Sequence, residues 1–215
     1  MRTFITTIIC SVILFRYDKT LSCFCFIVSL MQLAEYFIWS DQSCGNMNHY
    51  GSMFAFFILL LQPISLWVLS YIFNESELSQ KTHKNIIIIY FIFFCYWIYI
   101  LYKFNGKLCS KPGKFDHIIW DINPLLNSAP YIIVIIFWIL YLGTIVPLLK
   151  LKNKFLSLIY FIIGLITLGF SLYINLYGSS WKSYWCYVVN MIPVILVIVV
   201  IIKSLYIKNH IKLNL

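Results

Sequence analysis

Seven stretches of this chain, residues 3–15, 21–39, 51–73, 85–102, 130–149, 155–177 and 183–202, hold a single charged side chain between them, Glu35. A hydrocarbon layer about 30 Å thick takes roughly 20 residues of helix to cross, and every run but the first is of that order. Lipid offers backbone N–H and C=O groups no partner, so apolar runs of this length must satisfy them internally, as helices. The expected fold is therefore an all-α integral membrane protein: one bundle over residues 1–215 with about seven transmembrane helices. The run 3–15, led by Arg2, has the proportions of a signal peptide as well. Phe15-Arg16-Tyr17 lacks the small residues of a cleavage site, which favours a retained helix.

Composition agrees with the pattern. The chain is 62% hydrophobic, 19% aromatic and 11% charged, whereas soluble domains carry about a quarter charged residues. The formal charge of +9 suggests a nucleic-acid partner, but the basic residues stand singly or in threes between apolar runs. They make no contiguous basic footprint, and they sit where orientation signals and headgroup contacts belong. The partner implied is the lipid bilayer and not nucleic acid, with a protein partner or homo-oligomer left open.

Counting Lys and Arg by side sets the orientation. Arg16, Lys19, Lys81, Lys84, Lys150, Lys152, Lys154, Lys203, Lys208 and Lys212 fall on one side, and the remaining six on the other. By the positive-inside rule the N-terminus is outside and the C-terminus cytosolic. Asn74-Glu75-Ser76, a glycosylation sequon, then faces the cytosol.

The seven cysteines contain no CxxC pair and no metal-ligand spacing. Cys10, Cys23, Cys25 and Cys95 lie in the apolar runs as soft packing residues. Cys44 and Cys109 lie in the loops after the second and fourth runs, which the seven-span count places together on the outer, oxidising side. A Cys44–Cys109 disulfide is expected there, with Cys186 the alternative partner. His49 and His117 share that side with Asp41, Asp116 and Asp121, and read as solvated loop residues and not as a metal site. No apolar run has a histidine in its interior. The last run has lysines, Lys182 and Lys203, only at its ends, so it cannot carry a mid-helix Schiff base. P-loop, GxSxG and HExxH motifs are absent. No metal and no cofactor is implied.

Glu35 is the one residue whose position demands an explanation. Ser22, Cys25, Ser29, Gln32 and Tyr36 recur at steps of three and four along one helix face, and Glu35 sits at its edge. A carboxyl inside the bilayer is costly and marks a function by default. It reads either as a structural partner for another helix or as a group that handles an ion or substrate. Lys182, Cys186 and Asn190, each four apart with Pro193 following, make a second polar stripe, and Lys182 could reach Glu35. Glu35, Gln32, Lys182 and Asn190 form the candidate intramembrane polar site. Trp181, Tyr184, Trp185 and Tyr187 resemble an interfacial aromatic belt. Gly164, Thr167, Ser171, Asn175 and Gly178 suggest a small-residue packing seam, and Gln62-Pro63 a kink.

The segments Gln32-Leu33-Ala34-Glu35-Tyr36-Phe37-Ile38-Trp39, Leu59-Leu60-Leu61-Gln62-Pro63 and Trp181-Lys182-Ser183-Tyr184-Trp185-Cys186 resemble multi-pass membrane proteins of mimivirus-like giant viruses of amoebae. The Ile, Asn, Lys, Tyr and Phe bias suits an AT-rich genome of that kind. The resemblance implies a host endomembrane or virion membrane as the location and supplies no activity. The functional expectation is a non-enzymatic multi-pass protein acting through its helices or a partner. The alternatives are a small channel or transporter with a polar pathway around Glu35, and a membrane-embedded enzyme.

Overall fold

The computed structural model describes residues 2–113, 117–174 and 181–213, and leaves aside the side chains of residues 2, 174, 181, 182, 184 and 207–213. Nearly all of it is helix: α1 (Arg2–Leu14), α2 (Lys19–Ser40), α3 (Asn46–Ile72), α4 (Gln80–Lys103), α5 (Asn123–Asn127), α6 (Tyr131–Leu142), α7 (Ile145–Leu149), α8 (Lys154–Ile174), α9 (Trp181–Val189) and α10 (Ile192–Leu213). The only strands among the described residues are β1 (Lys111–Pro112) and β2 (Ile118–Ile119), an antiparallel pair within the long loop.

Helix ends follow local chemistry. The Asp18 carboxylate accepts the Leu21 N–H and starts α2, and Ser79 does the same for α4 through Thr82. The Asp41 carboxylate reaches forward to the N–H groups of Gly45, Met47 and Asn48 and so caps α3, satisfying donors that a first turn leaves free. Asn153 accepts the Leu156 N–H at the start of α8. The last apolar run is broken at Asn190-Met191 into α9 and α10. Pro193 is the second residue of α10, where its missing N–H costs nothing.

Among the described residues, six helical segments are long and apolar enough to cross a membrane: Lys19–Ser40, Asn46–Ile72, Gln80–Lys103, Tyr131–Leu149, Lys154–Tyr173 and Trp185–Tyr206. The first apolar run forms a shorter helix, Thr3–Leu14, about 20 Å long at 1.5 Å per residue. It packs against α2 and α10, with Ser22 donating to the Ser11 carbonyl and Thr7 to the Asn190 carbonyl.

The central helices are α2 and α3. The most apolar stretch of α3 is 67% buried, against 17% for α4 and for α6–α7. The outer helices turn large apolar side chains away from the protein, among them Phe91, Ile92, Ile139, Ile162 and Ile166. One core cluster joins Phe56, Trp97 and Phe137 edge to face, and a second joins Leu14, Leu21, Leu66 and Leu196. Tyr90 ties α4 to α6 through the Leu140 carbonyl. Gly143 makes that approach possible, because a Cβ there would lie 2.6 Å from the Tyr90 hydroxyl.

Two ends of the bundle are knitted separately. At one, Cys44 and Cys109 form a disulfide with Cα atoms 5.1 Å apart. Beside it Asn48 exchanges hydrogen bonds with the Ser110 backbone, and the Ser52 and Ser110 hydroxyls meet at 2.7 Å. These bonds drive the loop inward, so Leu108, Ile118, Trp120, Ile122 and Leu125 are buried as a plug. At the other end the Glu75 carboxylate accepts the Lys19 and Thr20 N–H groups, while the Glu75 carbonyl accepts from Lys152 N–H. Ser76 pairs with Leu151, and Lys154 forms an ion pair with Glu77.

Candidate functional site

Glu35 lies one turn and a half from the end of α2, and it is 7% exposed. Its Oε1 accepts from the Ser183 hydroxyl at 2.5 Å, and its Oε2 accepts from the Gln32 amide at 3.2 Å. Ser183 is fully buried and also accepts the Ile118 N–H at 3.2 Å. One carboxyl thereby links α2, the start of α9 and β2 of the plug. The Trp120 ring stands beside it, with its indole N–H short of a formed hydrogen bond. A buried carboxyl needs such partners because an unsatisfied one is far more costly than the net gain from a single bond.

The candidate polar residues separate into two places. Gln32 and Glu35 meet. Asn190 is buried, but its amide donates to the Cys186 carbonyl and its own carbonyl accepts from Thr7. It lies seven residues beyond Ser183, about 10 Å further along the helix, and serves the α1 contact and the break before α10. Lys182 belongs to α9, and its side chain lies outside the described residues. Ser183, which completes the Glu35 cluster, has no distinguishing signal in the sequence: a single serine in a helical first turn is ordinary.

Between α2, α3, α6–α7, α8 and α9 is a cavity of about 320 Å³. Its walls are apolar and aromatic, and include Phe24, Leu66, Leu148 and Tyr160 as well as Trp120 of the plug. Exposed Trp138, Leu142 and Leu165 also line it, so it reaches the protein's flank between α6–α7 and α8. None of its described lining residues is charged. The polar groups on its wall are few: the Gln62 amide, the Tyr141 hydroxyl that donates to Gln62 Oε1 at 2.8 Å, the Thr144 hydroxyl, and Trp185, whose indole N–H donates to the Gly164 carbonyl at 3.3 Å. Gln62 Nε2 is buried and has no partner among the described residues.

Two sequence expectations change at this cavity. Gly164 is not part of a close helix seam, because a Cβ added there would meet no atom within 4 Å; the same holds for Gly169. The small residues of α8 leave space instead of closing it, and Asn175 and Gly178 lie outside the described residues. Trp185 turns into the bundle and not toward an interface, whereas Tyr187 is exposed and packs on His117.

The polar residues at the disulfide end are engaged structurally. His49 Nδ1 accepts the Leu108 N–H, Asp121 accepts the Cys109 N–H, and Asp41 caps α3; Asp116 lies outside the described residues. Four N–H and O–H donors hold the Asp41 carboxyl below the usual carboxylate range, Ser43 first among them. Among the described residues no group of three or more His, Cys, Asp and Glu side chains could hold a metal ion.

At the opposite end Asp18 is 3% exposed and lies beside Glu75. Burial, reinforced by the neighbouring carboxylate, raises its carboxyl to about 7 against the pull of the Leu21 N–H.

Among the described residues these features define a helical bundle with six membrane-length apolar segments, a clasped internal carboxyl and a flank-opening apolar cavity. No protein-family model, curated protein sequence or solved structure matches the chain.

Proposed function

We propose that the chain is a multi-pass integral membrane protein, without enzymatic activity, that acts through its helix bundle. In this reading it crosses the bilayer seven times, with the short α1 included, its N-terminus outside and its C-terminus cytosolic. The exposed apolar belts on α4, α6–α7 and α8 support insertion, since water-facing patches of that extent are unusual in monomeric soluble proteins. The ten-to-six division of basic residues supports the orientation. The resemblance to mimivirus-like membrane proteins supports a host endomembrane or virion membrane as its place.

The observation that carries the non-transport reading is the Glu35 clasp. Its two oxygens are taken by Ser183 and Gln32, and Glu35 is not among the lining residues of the cavity. A carboxyl so engaged acts as an internal rivet between α2, α9 and the plug. The test is ion flux into liposomes carrying the purified chain. No flux above that of empty liposomes is expected. A flux that is present in the wild type and lost in Glu35→Gln would overturn the reading in favour of a channel or transporter.

A further inference from the structure

We infer that the end of the bundle opposite the disulfide is a docking face for a lipid whose headgroup carries several negative charges, such as a polyphosphorylated inositol. The inference rests on the membrane reading. The face is built from three connections: residues 15–18 between α1 and α2, 73–79 between α3 and α4, and 150–153 between α7 and α8. Glu75 is their hub. Its carboxylate accepts the Lys19 and Thr20 N–H groups at 3.2 and 2.7 Å, and its carbonyl accepts the Lys152 N–H at 2.7 Å. The Lys150 carbonyl accepts the Glu77 N–H at 2.9 Å, and the Asn153 amide donates to the Tyr17 carbonyl. Lys19, Lys150 and Lys152 are thereby gathered about one short segment. Leu151, bridged to Ser76, is fully buried and anchors the last connection, while the lysines on either side of it are exposed.

The acidic groups of these connections do not cancel that charge. Asp18 is buried as the α2 cap, the Glu75 carboxylate is occupied by backbone donors, and Glu77 pairs with Lys154. That is the one ion pair among the described residues, so the exposed Lys19, Lys150 and Lys152 have no carboxylate partner there. A singly charged headgroup meets one such ammonium at a time. Several phosphates on one ring can meet all three, and the hub has already brought the lysines together, which lowers the entropy lost on binding.

Exposed apolar groups beside the cations favour a lipid over a soluble anion. Leu149 precedes Lys150, and Phe155 lies 4.8 Å from the Lys203 ammonium, ring centroid to Nζ; both apolar side chains are exposed. A cation set against an exposed apolar side chain suits the boundary between headgroups and hydrocarbon. Under the proposed orientation this face meets the cytosolic leaflet, where anionic lipids collect.

The test uses the full chain in neutral detergent micelles, which leave both ends of the bundle accessible, so orientation and crossing number do not enter. Insertion is read separately by carbonate extraction of the expressing membranes. Phosphatidylinositol bisphosphate and phosphatidylserine are titrated in separately, and bound lipid is counted by native mass spectrometry. A lysine close to an anionic headgroup is worth about fivefold in affinity. The inositol lipid should therefore bind about tenfold or more tightly than phosphatidylserine. Lys150→Gln/Lys152→Gln should weaken it by roughly ten- to thirtyfold, with the melting temperature retained because both side chains are exposed. Lys19→Gln, on a separate connection, should weaken it by about fivefold and serves should the double variant not fold. Lys103→Gln/Lys107→Gln, which removes the same charge near the disulfide end, should leave binding unchanged. Equal affinity for the two lipids, or equal losses in the two double variants, would overturn the docking face. Soluble inositol trisphosphate binding as tightly as the lipid would overturn a lipid as its occupant.

Discussion

Replacing Asp18 by Asn should remove most of the loss of stability that the protein suffers between pH 5 and pH 7. Asp18 caps α2 while lying 3% exposed beside Glu75, and its carboxyl is raised from 3.8 to about 7. A raised carboxyl is protonated in the fold while the unfolded chain would be ionised. Folding therefore loses stability as pH climbs from the unfolded value to the folded one, and the penalty is constant above it. At 1.36 kcal/mol per unit, the whole shift is on the order of 4 kcal/mol. The part that develops between pH 5 and pH 7 is about 2.3 kcal/mol, because the folded carboxyl is already half ionised at pH 7. For a chain of this size that corresponds to a melting temperature lower by roughly 5–10 °C. Asparagine retains an oxygen for the Leu21 N–H and gains an amide donor for Glu75, without a charge to bury. Melting followed by circular dichroism in detergent at pH 5, 6, 7 and 8 should show the wild type falling and Asp18→Asn nearly level. The gap between them should widen to pH 7 and then hold. Parallel curves would mean that Asp18 does not titrate in this window, and the account of the α2 end would fail.

Three further outcomes are expected. Ser183→Ala should destabilise the bundle by about 2–4 kcal/mol in detergent denaturation, because it strips Glu35 Oε1 and the Ile118 N–H of their partner together; Glu35→Gln, which keeps an oxygen for Ser183, should cost less, and a larger cost for it would refute the rivet. Reducing the Cys44–Cys109 bond, which closes 65 residues, should lower stability by at most roughly 4 kcal/mol and alter mobility in non-reducing electrophoresis; no shift on adding reductant in the wild type, or one that persists in Cys44→Ser, would contradict the pairing. Asn74 should carry no glycan in a eukaryotic membrane, and a glycosidase-sensitive mass shift lost in Asn74→Gln would invert the proposed orientation.

The predominantly helical architecture was legible in the sequence because one physical demand dominates it. Apolar runs of about 20 residues can satisfy their backbones only as helices, and nothing local in 51–73 or 155–177 offers another solution. Glu35 was legible for the same reason, as the lone charge within those runs. Its partner was not. Ser183 is 148 residues away, and pairing across that distance depends on which helices pack together, a property that no periodicity encodes. Asn190 shares the four-residue spacing of Lys182 and Cys186, yet the break before α10 and the hydrogen bond from Thr7 bind it to α1. Gly164 has the composition of a packing seam, and only its surroundings reveal that it borders empty space. Gln62 looks like one half of a kink until the Tyr141 hydroxyl, 79 residues on, donates to its side-chain oxygen. Sequence sets what each segment must do with its own backbone. Tertiary packing alone decides which side chains meet and where a void is left, because both depend on neighbours remote along the chain.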